Sequence, residues 1–183
     1  KVLRYAFEVA ETSLDPAKIN DLYSRILTPH IYEGLYHYDH LARPIKLKPL
    51  TADGMPQPSA DFRTWTVKVK PGIYFADDPA FKGKKRELVA EDYVYTIKRY
   101  YDPRWKASDL YVFSNAKLLG LTELRERALK TKQPFDYDTA VEGARALDRY
   151  TLRIKLGEPD PRFIYNFANS WLLGAVAREV VEH

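Results

Sequence analysis

Three histidines and an aspartate lie close together in the sequence and could bind a transition metal. His30, His37, Asp39 and His40 fall within eleven residues, and imidazole with carboxylate is a plausible ligand set for zinc, copper or nickel. His37, Asp39 and His40 alternate through a predicted turn, however, and do not stand four residues apart on one helix face, where side chains converge. We therefore predict surface histidines and assign no metal site and no cofactor.

The densest positive charge lies in the run Lys82 to Arg86, which could contact phosphate. Its single glycine does not match a phosphate-cradling loop. Aromatic residues flank it and could stack on bases, but Asp77, Asp78 and Glu87 offset much of its charge, whereas a nucleic-acid surface concentrates positive charge on one face. We expect a solvated loop and no nucleic-acid partner, and we keep a basic nucleic-acid-binding module as an alternative function.

The sequence offers no pattern typical of a catalytic site. Adjacent carboxylates occur at Asp77-Asp78, in a predicted loop, and at Glu91-Asp92, where a helix begins. Acidic side chains are favoured at the positive end of a helix dipole, so capping explains the second pair. The absence of cysteine excludes a thiolate nucleophile, a disulfide framework and a Cys-ligated zinc. We assign no catalytic residue, and an enzyme of unknown reaction remains a second alternative.

The composition indicates a globular chain. Of the 183 residues, 45% are apolar and 30% charged, and the net charge is only +4, so the charge balance does not by itself require a nucleic-acid partner. The sequence contains no run of about 18 apolar residues, so it predicts no transmembrane helix. The 14 tyrosines are unusual, and such side chains either fill a core or line a recognition surface.

Hydrophobic periodicity predicts alternating strands and helices. Strands are predicted where apolar residues alternate, at 3–9, at 65–69 with a hairpin partner at 73–75, and at 150–156. Helices are predicted near 24–36, where Thr28-Pro29 suits a helix start, and at 87–101, 118–130, 137–147 and from 177. Residues 163–171 are predicted helical or irregular, and the proline-rich stretch 43–58 is a natural crossing between lobes.

The order of several short motifs carries more information than any one of them. They are Thr12-Ser13-Leu14-Asp15-Pro16, Tyr32-Glu33-Gly34-Leu35, the run Trp65 to Phe75, Ala90 to Thr96, Asp102-Pro103, Ala146 to Ile154, and Glu158 to Phe163. This series resembles the family 5 extracellular solute-binding proteins, which are the peptide, dipeptide and nickel binding components of ATP-binding-cassette (ABC) importers. The resemblance covers essentially the whole chain. Val89 and the long loop before it depart from the family pattern and bear on the subfamily.

The resemblance implies a mixed α/β (α+β) fold of the periplasmic binding protein type II kind. Residues 1–43 and 169–183 would belong to lobe I, and 44–168 would form an inserted lobe II. The closing lobe III would be absent, so the chain would be the N-terminal portion of the family fold.

The resemblance also implies a function without bond chemistry. The protein would be exported, act in the periplasm as a monomer, capture an oligopeptide-like solute by lobe closure and deliver it to a permease in the inner membrane. The solute itself stays open among a peptide, a nickel chelate, a sugar and a haem-like group.

Four residues are the candidate ligand contacts. In peptide-binding members of the family, the segment after the Ser-Leu-Asp-Pro turn pairs with the ligand backbone, and here that segment is Asn20, Asp21 and Leu22. An exposed extended segment can accept a peptide as an added strand, and Asp21 could bind a ligand amine. Tyr111, shortly after Asp102-Pro103, is the candidate aromatic contact from lobe II, with core packing as the alternative.

Overall fold

An antiparallel sheet of four strands is the framework of the chain, in a computed structural model that describes residue 2 and residues 4–183. The strands are β1 (Tyr36–Tyr38), β2 (Leu47–Pro49), β3 (Gln57–Pro58), β4 (Thr64–Lys68), β5 (Ala144–Ala146) and β6 (Thr151–Lys155). The large sheet has the order β3-β4-β6-β5, and β1 pairs with β2 in a separate antiparallel ribbon. The ribbon spans the expected boundary between residues 43 and 44, and the division into lobes stays a prediction.

Six α-helices accompany the strands in the described residues. They are α1 (Leu22–Leu27), α2 (Ala90–Tyr101), α3 (Leu110–Asn115), α4 (Leu121–Thr131), α5 (Ser170–Leu173) and α6 (Arg178–Val181). Short 3₁₀ helices occur at Pro16–Lys18, Thr28–His30, Pro79–Phe81 and Phe163–Ala168. Across this described part of the chain, no helix combines the length and the apolar character that a membrane crossing requires. The mixed α/β class that the sequence predicts is confirmed.

The core forms where one face of the sheet packs against α2. Trp65 and Val67 of β4 lie opposite Ile154 and Leu152 of β6, and all four side chains are buried. This is the two-residue alternation of a sheet with one buried face. Helix α2 contacts β5 and β6 and buries nearly its whole length.

Helix α2 begins three residues later than the predicted 87–101 because Asp92 caps it. The Asp92 carboxylate accepts a hydrogen bond from the Val89 N–H at 2.8 Å and forms a bidentate pair with Arg86 at 2.6 and 3.1 Å. Burial raises the pKa of Asp92 although Arg86 and the Val89 N–H act in the opposite direction. The capping role assigned to the Glu91-Asp92 pair is therefore confirmed for Asp92, while Glu91 lies in the same first turn of α2.

The helix predicted over 137–147 is wrong. The segment is a turn followed by β5, which pairs with β6. The Lys98 ammonium donates hydrogen bonds to the Tyr137 and Thr139 carbonyls at 2.7 and 2.9 Å. These carbonyls therefore accept from a residue far away in the sequence and not from the backbone N–H groups of a helix. Gly143 packs so closely on Leu119 that an added Cβ would lie 2.5 Å from the Leu119 nitrogen.

Two strand predictions near the aromatic segments are also wrong. Leu3 lies outside the described residues, and residues 4–9 form no strand; Phe7 instead packs on Tyr23, with ring centroids 4.9 Å apart. Residues 73–75 are not the hairpin partner of β4, which pairs with β3 and β6. Tyr74 forms only an isolated bridge with Glu87. Alternation alone does not identify which strand supplies the hydrogen-bonding partner.

The helix predicted near 24–36 lies earlier and is shorter. Asp21, and not Thr28, caps its start, and α1 ends at Leu27 where the 3₁₀ turn Thr28–His30 takes over. The other elements shift by a few residues: α4 begins at Leu121, β6 spans Thr151–Lys155, and α6 begins at Arg178.

Candidate ligand-binding face

A buried ion pair fixes the turn that precedes the predicted contact segment. Arg99 of α2 donates to both carboxylate oxygens of Asp15, each at 2.7 Å, and the Arg99 side chain is only 1% exposed. Its guanidinium also lies 4.8 Å from the Trp105 ring centroid. Burial acts to raise the pKa of Asp15, but the hydrogen bonds and charge of Arg99 outweigh it and lower that pKa. The Ser-Leu-Asp-Pro turn is therefore anchored on the longest helix.

Further contacts fix the chain immediately before Asn20. The Ile19 carbonyl accepts a hydrogen bond from the Ser108 hydroxyl at 2.7 Å, and Ile19 itself is buried. The Tyr100 hydroxyl donates to the Leu172 carbonyl at 2.8 Å. The first contact joins the chain before Asn20 to the loop before α3, and the second joins α2 to α5.

The structure places Asn20, Asp21 and Leu22 at the surface, as one short corner. Asn20 is exposed and Leu22 is 67% exposed, so the segment is accessible. The expectation that all three are extended is wrong for Leu22, which is the first residue of α1. Asp21 has extended dihedral angles, with φ −126° and ψ 161°. The corner is the junction of an extended residue with a helix start.

The Asp21 carboxylate is already used by the protein as the cap of α1. It accepts hydrogen bonds from the Ser24 N–H at 2.8 Å and the Ser24 hydroxyl at 2.6 Å, and the Thr12 hydroxyl also donates to it. The two hydrogen bonds from Ser24, with those from Thr12, hold the pKa of Asp21 well below its usual range. The ionised form of Asp21 is therefore favoured, and its carboxylate already accepts hydrogen bonds from Ser24 and Thr12, which leaves less capacity for a ligand amine.

Tyr111 lies in α3, which an ion pair joins to α1. The Arg25 Nη2 of α1 lies 2.8 and 3.0 Å from the two carboxylate oxygens of Asp109, two residues before Tyr111. The Tyr111 side chain is 57% exposed, so core packing does not account for it. The structure therefore brings the α1 corner and the start of α3 together.

Arg25 and Asp109 were not found by sequence reasoning, and neither was Trp171, whose ring centroid lies 4.7 Å from the Arg25 guanidinium carbon. The two ion-pair partners are 84 positions apart, and no local spacing connects them. The one available signal was an acidic residue shortly after Asp102-Pro103, and it resembles an ordinary surface charge.

The histidines and Asp39 do not converge on one site. Asp39 pairs with Lys48 at 2.9 Å, and His37 and His40 are exposed at its two sides. Across residue 2 and residues 4–183, no three His, Asp or Glu side chains form an arrangement that could hold a metal ion.

The basic run is divided between two environments. Arg86 is bound to Asp92 of α2 and Glu179 of α6, at 2.6 and 2.8 Å, and so connects the two helices. Lys82, Lys84 and Lys85 are exposed. This arrangement is a solvated loop next to a structural arginine.

Comparison with known proteins shows the class to which this architecture belongs. The profile described as bacterial extracellular solute-binding proteins, family 5 middle, matches residues 46–173. The chain belongs to this family of solute-binding transport proteins, and the resemblance drawn from the motifs is confirmed.

Individual relatives agree with that assignment. The chain is 40% identical over 70 residues to the glutathione-binding protein GsiB of Pectobacterium atrosepticum, a match that covers 38% of this chain and 13% of that protein. It is 25% identical over 158 residues to the periplasmic oligopeptide-binding protein OppA of Escherichia coli, covering 82% of this chain and 24% of that protein. The structure of the Escherichia coli murein tripeptide binding protein MppA superposes with a TM-score of 0.71 at 26% identity, covering 94% of this chain and 30% of MppA. The chain thus spans less than a third of the length of each of these relatives.

Proposed function

We propose that the chain forms part of the solute-binding component of an ABC importer that captures an oligopeptide-like solute. It would act in the periplasm as a monomer and deliver the solute to a permease in the inner membrane, with no bond made or broken. The observation that carries this proposal is the family match over residues 46–173. The likeness to a murein tripeptide binding protein over 94% of the chain supports a peptide-like solute.

We propose that the corner at Asn20, Asp21 and Leu22 contacts the ligand backbone. Asn20 and Asp21 offer main-chain groups at an accessible, extended position, and the first N–H groups of a helix such as α1 have no intrahelical partner. An extended peptide can use both kinds of group. Leu22 would add an apolar contact and Tyr111 an aromatic one. The Asp21 carboxylate would stabilise the conformation of the corner by capping α1.

Capture would depend on a second surface that closes over this face. A ligand shifts a protein between open and closed states only by its difference in affinity for the two. The face around Asn20 and Tyr111 lies open in this chain, and each of the relatives compared is more than three times as long as the part that this chain matches. We therefore expect the remaining contacts to come from a closing lobe in the whole protein, through hinge motion.

Calorimetric titration of unblocked tri- to pentapeptides tests this proposal. We expect the whole protein to bind with dissociation constants of about 1 µM, corresponding to about −8 kcal/mol. The isolated 183-residue chain should bind at least about tenfold more weakly, because it lacks the closed-state contacts. No binding of any peptide by the whole protein, or equally tight binding by the isolated chain, would contradict the proposal.

A further inference from the structure

The Arg25 guanidinium is held in place by two partners on different elements. Its Nη2 lies 2.8 and 3.0 Å from the carboxylate oxygens of Asp109. Its central carbon lies 4.7 Å from the Trp171 ring centroid, within the range of a cation–π contact. An arginine fixed by a carboxylate and an aromatic face loses little further side-chain entropy when it binds another group.

Part of the guanidinium remains available after these contacts are made. Arginine has five N–H donors, and the described residues provide no acceptor for Arg25 Nη1, which is not sealed from solvent. The Nε of Arg25 is buried without a partner. The side chain is 35% exposed, whereas the Asp109 side chain is only 2% exposed. The pair therefore presents its cation outward and keeps its anion inside.

The available donors lie within the proposed ligand face. Arg25 is one helical turn after Asp21, which caps α1, and Asp109 is two residues before the exposed Tyr111. Leu22 and Ile26, on either side of Arg25 in the helix, are exposed apolar residues. A fixed cation among apolar side chains matches a ligand that has a carboxylate next to apolar groups.

We propose that Arg25 binds a carboxylate of the solute and thereby makes the site selective for peptide-like ligands that carry this carboxylate. This inference rests on the proposed function. Asp109 and Trp171 are positioning residues, because they hold the guanidinium and do not themselves contact the ligand. The carboxylate is either the C-terminal one or an Asp or Glu side chain, and the two sources are separated by the choice of probe.

Three tripeptide pools serve as probes for the whole protein. The first has free C-terminal acids and no acidic side chains, the second has the same sequences as C-terminal amides, and the third consists of amides that contain one glutamate. We expect the parent protein to bind at least one carboxylate-bearing pool about 10- to 100-fold more tightly than the neutral amides, as for a charge-assisted hydrogen bond. The preferred pool identifies the source of the carboxylate.

Substitution of Arg25 separates recognition from structural support. Arg25→Gln should remove the preference between pools while binding of the neutral amides changes less than about threefold. Since this variant leaves Asp109 buried and unpaired, the double variant Arg25→Gln with Asp109→Asn restores charge balance and should show the same lost preference. Arg25→Lys should keep part of the preference, because the charge remains but the planar fork is lost.

Arg127→Gln is the control, because Arg127 lies on another helix, α4, and also pairs with an aspartate, Asp136 at 3.1 Å. It should leave the preference intact. Equal affinity of the parent for the neutral amides and for both carboxylate-bearing pools would overturn the inference alone. Equal loss for all pools in Arg25→Gln and in the double variant would also overturn it, since that result indicates a structural role. No binding of any pool by the parent would overturn the proposed function, and this inference with it.

Discussion

Replacing Asp15 by asparagine should destabilise the chain more than replacing Arg99 by methionine. In the parent chain the Ala17 N–H donates to the Asp15 carboxylate at 3.1 Å, and Asp15→Asn keeps an oxygen that can accept this hydrogen bond. The substitution leaves the Arg99 guanidinium, which is 1% exposed, without a counter-charge. Breaking a buried pair from one side costs about 3–5 kcal/mol. Asp15 is 26% exposed, which permits some rehydration, so we expect about 3 kcal/mol.

Arg99→Met leaves the other partner in a more tolerant environment. The remaining Asp15 carboxylate can take up water and keeps Lys18 at 3.8 Å, so we expect a loss of about 1–2 kcal/mol. The double variant has neither charge and should lose no more than Asp15→Asn alone. The double-mutant cycle then gives a coupling energy of at least about 1–2 kcal/mol.

Urea unfolding followed by tryptophan fluorescence measures these values, and Trp105 reports locally because its ring lies 4.8 Å from Arg99. Since Arg99 lowers the folded-state pKa of Asp15 below the reference value of 3.8, the coupling should be complete above about pH 4 and disappear as the pH falls further. Additive single-variant losses at pH 7 would refute the role of this pair as the anchor of the turn.

Three further variants test the packing and the ligand face. Gly143→Ala should destabilise the chain by about 2–3 kcal/mol in the same urea assay, since the new Cβ would lie 2.5 Å from a neighbouring backbone nitrogen; a loss below about 0.5 kcal/mol would contradict this packing. Lys98→Met should cost about 2 kcal/mol, because two carbonyls of the 137–139 turn lose their donor, and unchanged stability would show that water replaces it. Tyr111→Ala should weaken peptide binding by the whole protein about tenfold without changing its melting temperature. Tyr74→Ala is its control, since Tyr74 is similarly exposed at 52% and lies in the segment between β4 and α2, and equal effects of the two variants would exclude a contact at Tyr111.

The sequence predicted those elements whose signal is local. Helix α2 and strands β4 and β6 were found because their apolar residues repeat at the periods of a helix and a strand that pack on one core. The acidic start of α2 was found because Asp92 lies in the first turn of the helix that it caps. These features need no knowledge of distant residues.

Elements that depend on distant partners were predicted less well. The turn at 137–139 contains no helix breaker, and it is fixed by Lys98 from about 40 positions away. Strand β4 pairs with β3 on one side and with β6, about 90 positions later, on the other, and not with the nearby segment 73–75. Apolar alternation indicates a buried face but does not determine which strand completes the sheet.

The candidate site also combines residues that a local motif predicts with residues that only the fold brings together. The motif after the Ser-Leu-Asp-Pro turn directed attention to Asn20, Asp21 and Leu22, which the structure places at an accessible corner. Arg25 and Asp109 could not be found in this way, since their 2.8 Å contact joins residues 84 positions apart. Their importance is visible only when the fold brings α1 and α3 together.

Hydrogen–deuterium exchange of the whole protein, with and without a saturating tripeptide, tests the central claim most directly. We predict that the peptide slows amide exchange in residues 19–26 and 108–113, because the ligand covers the α1 corner and the start of α3. Exchange in α4, on another part of the chain, should stay unchanged. Peptide binding that protects other segments and leaves both of these ranges unaffected would contradict the account.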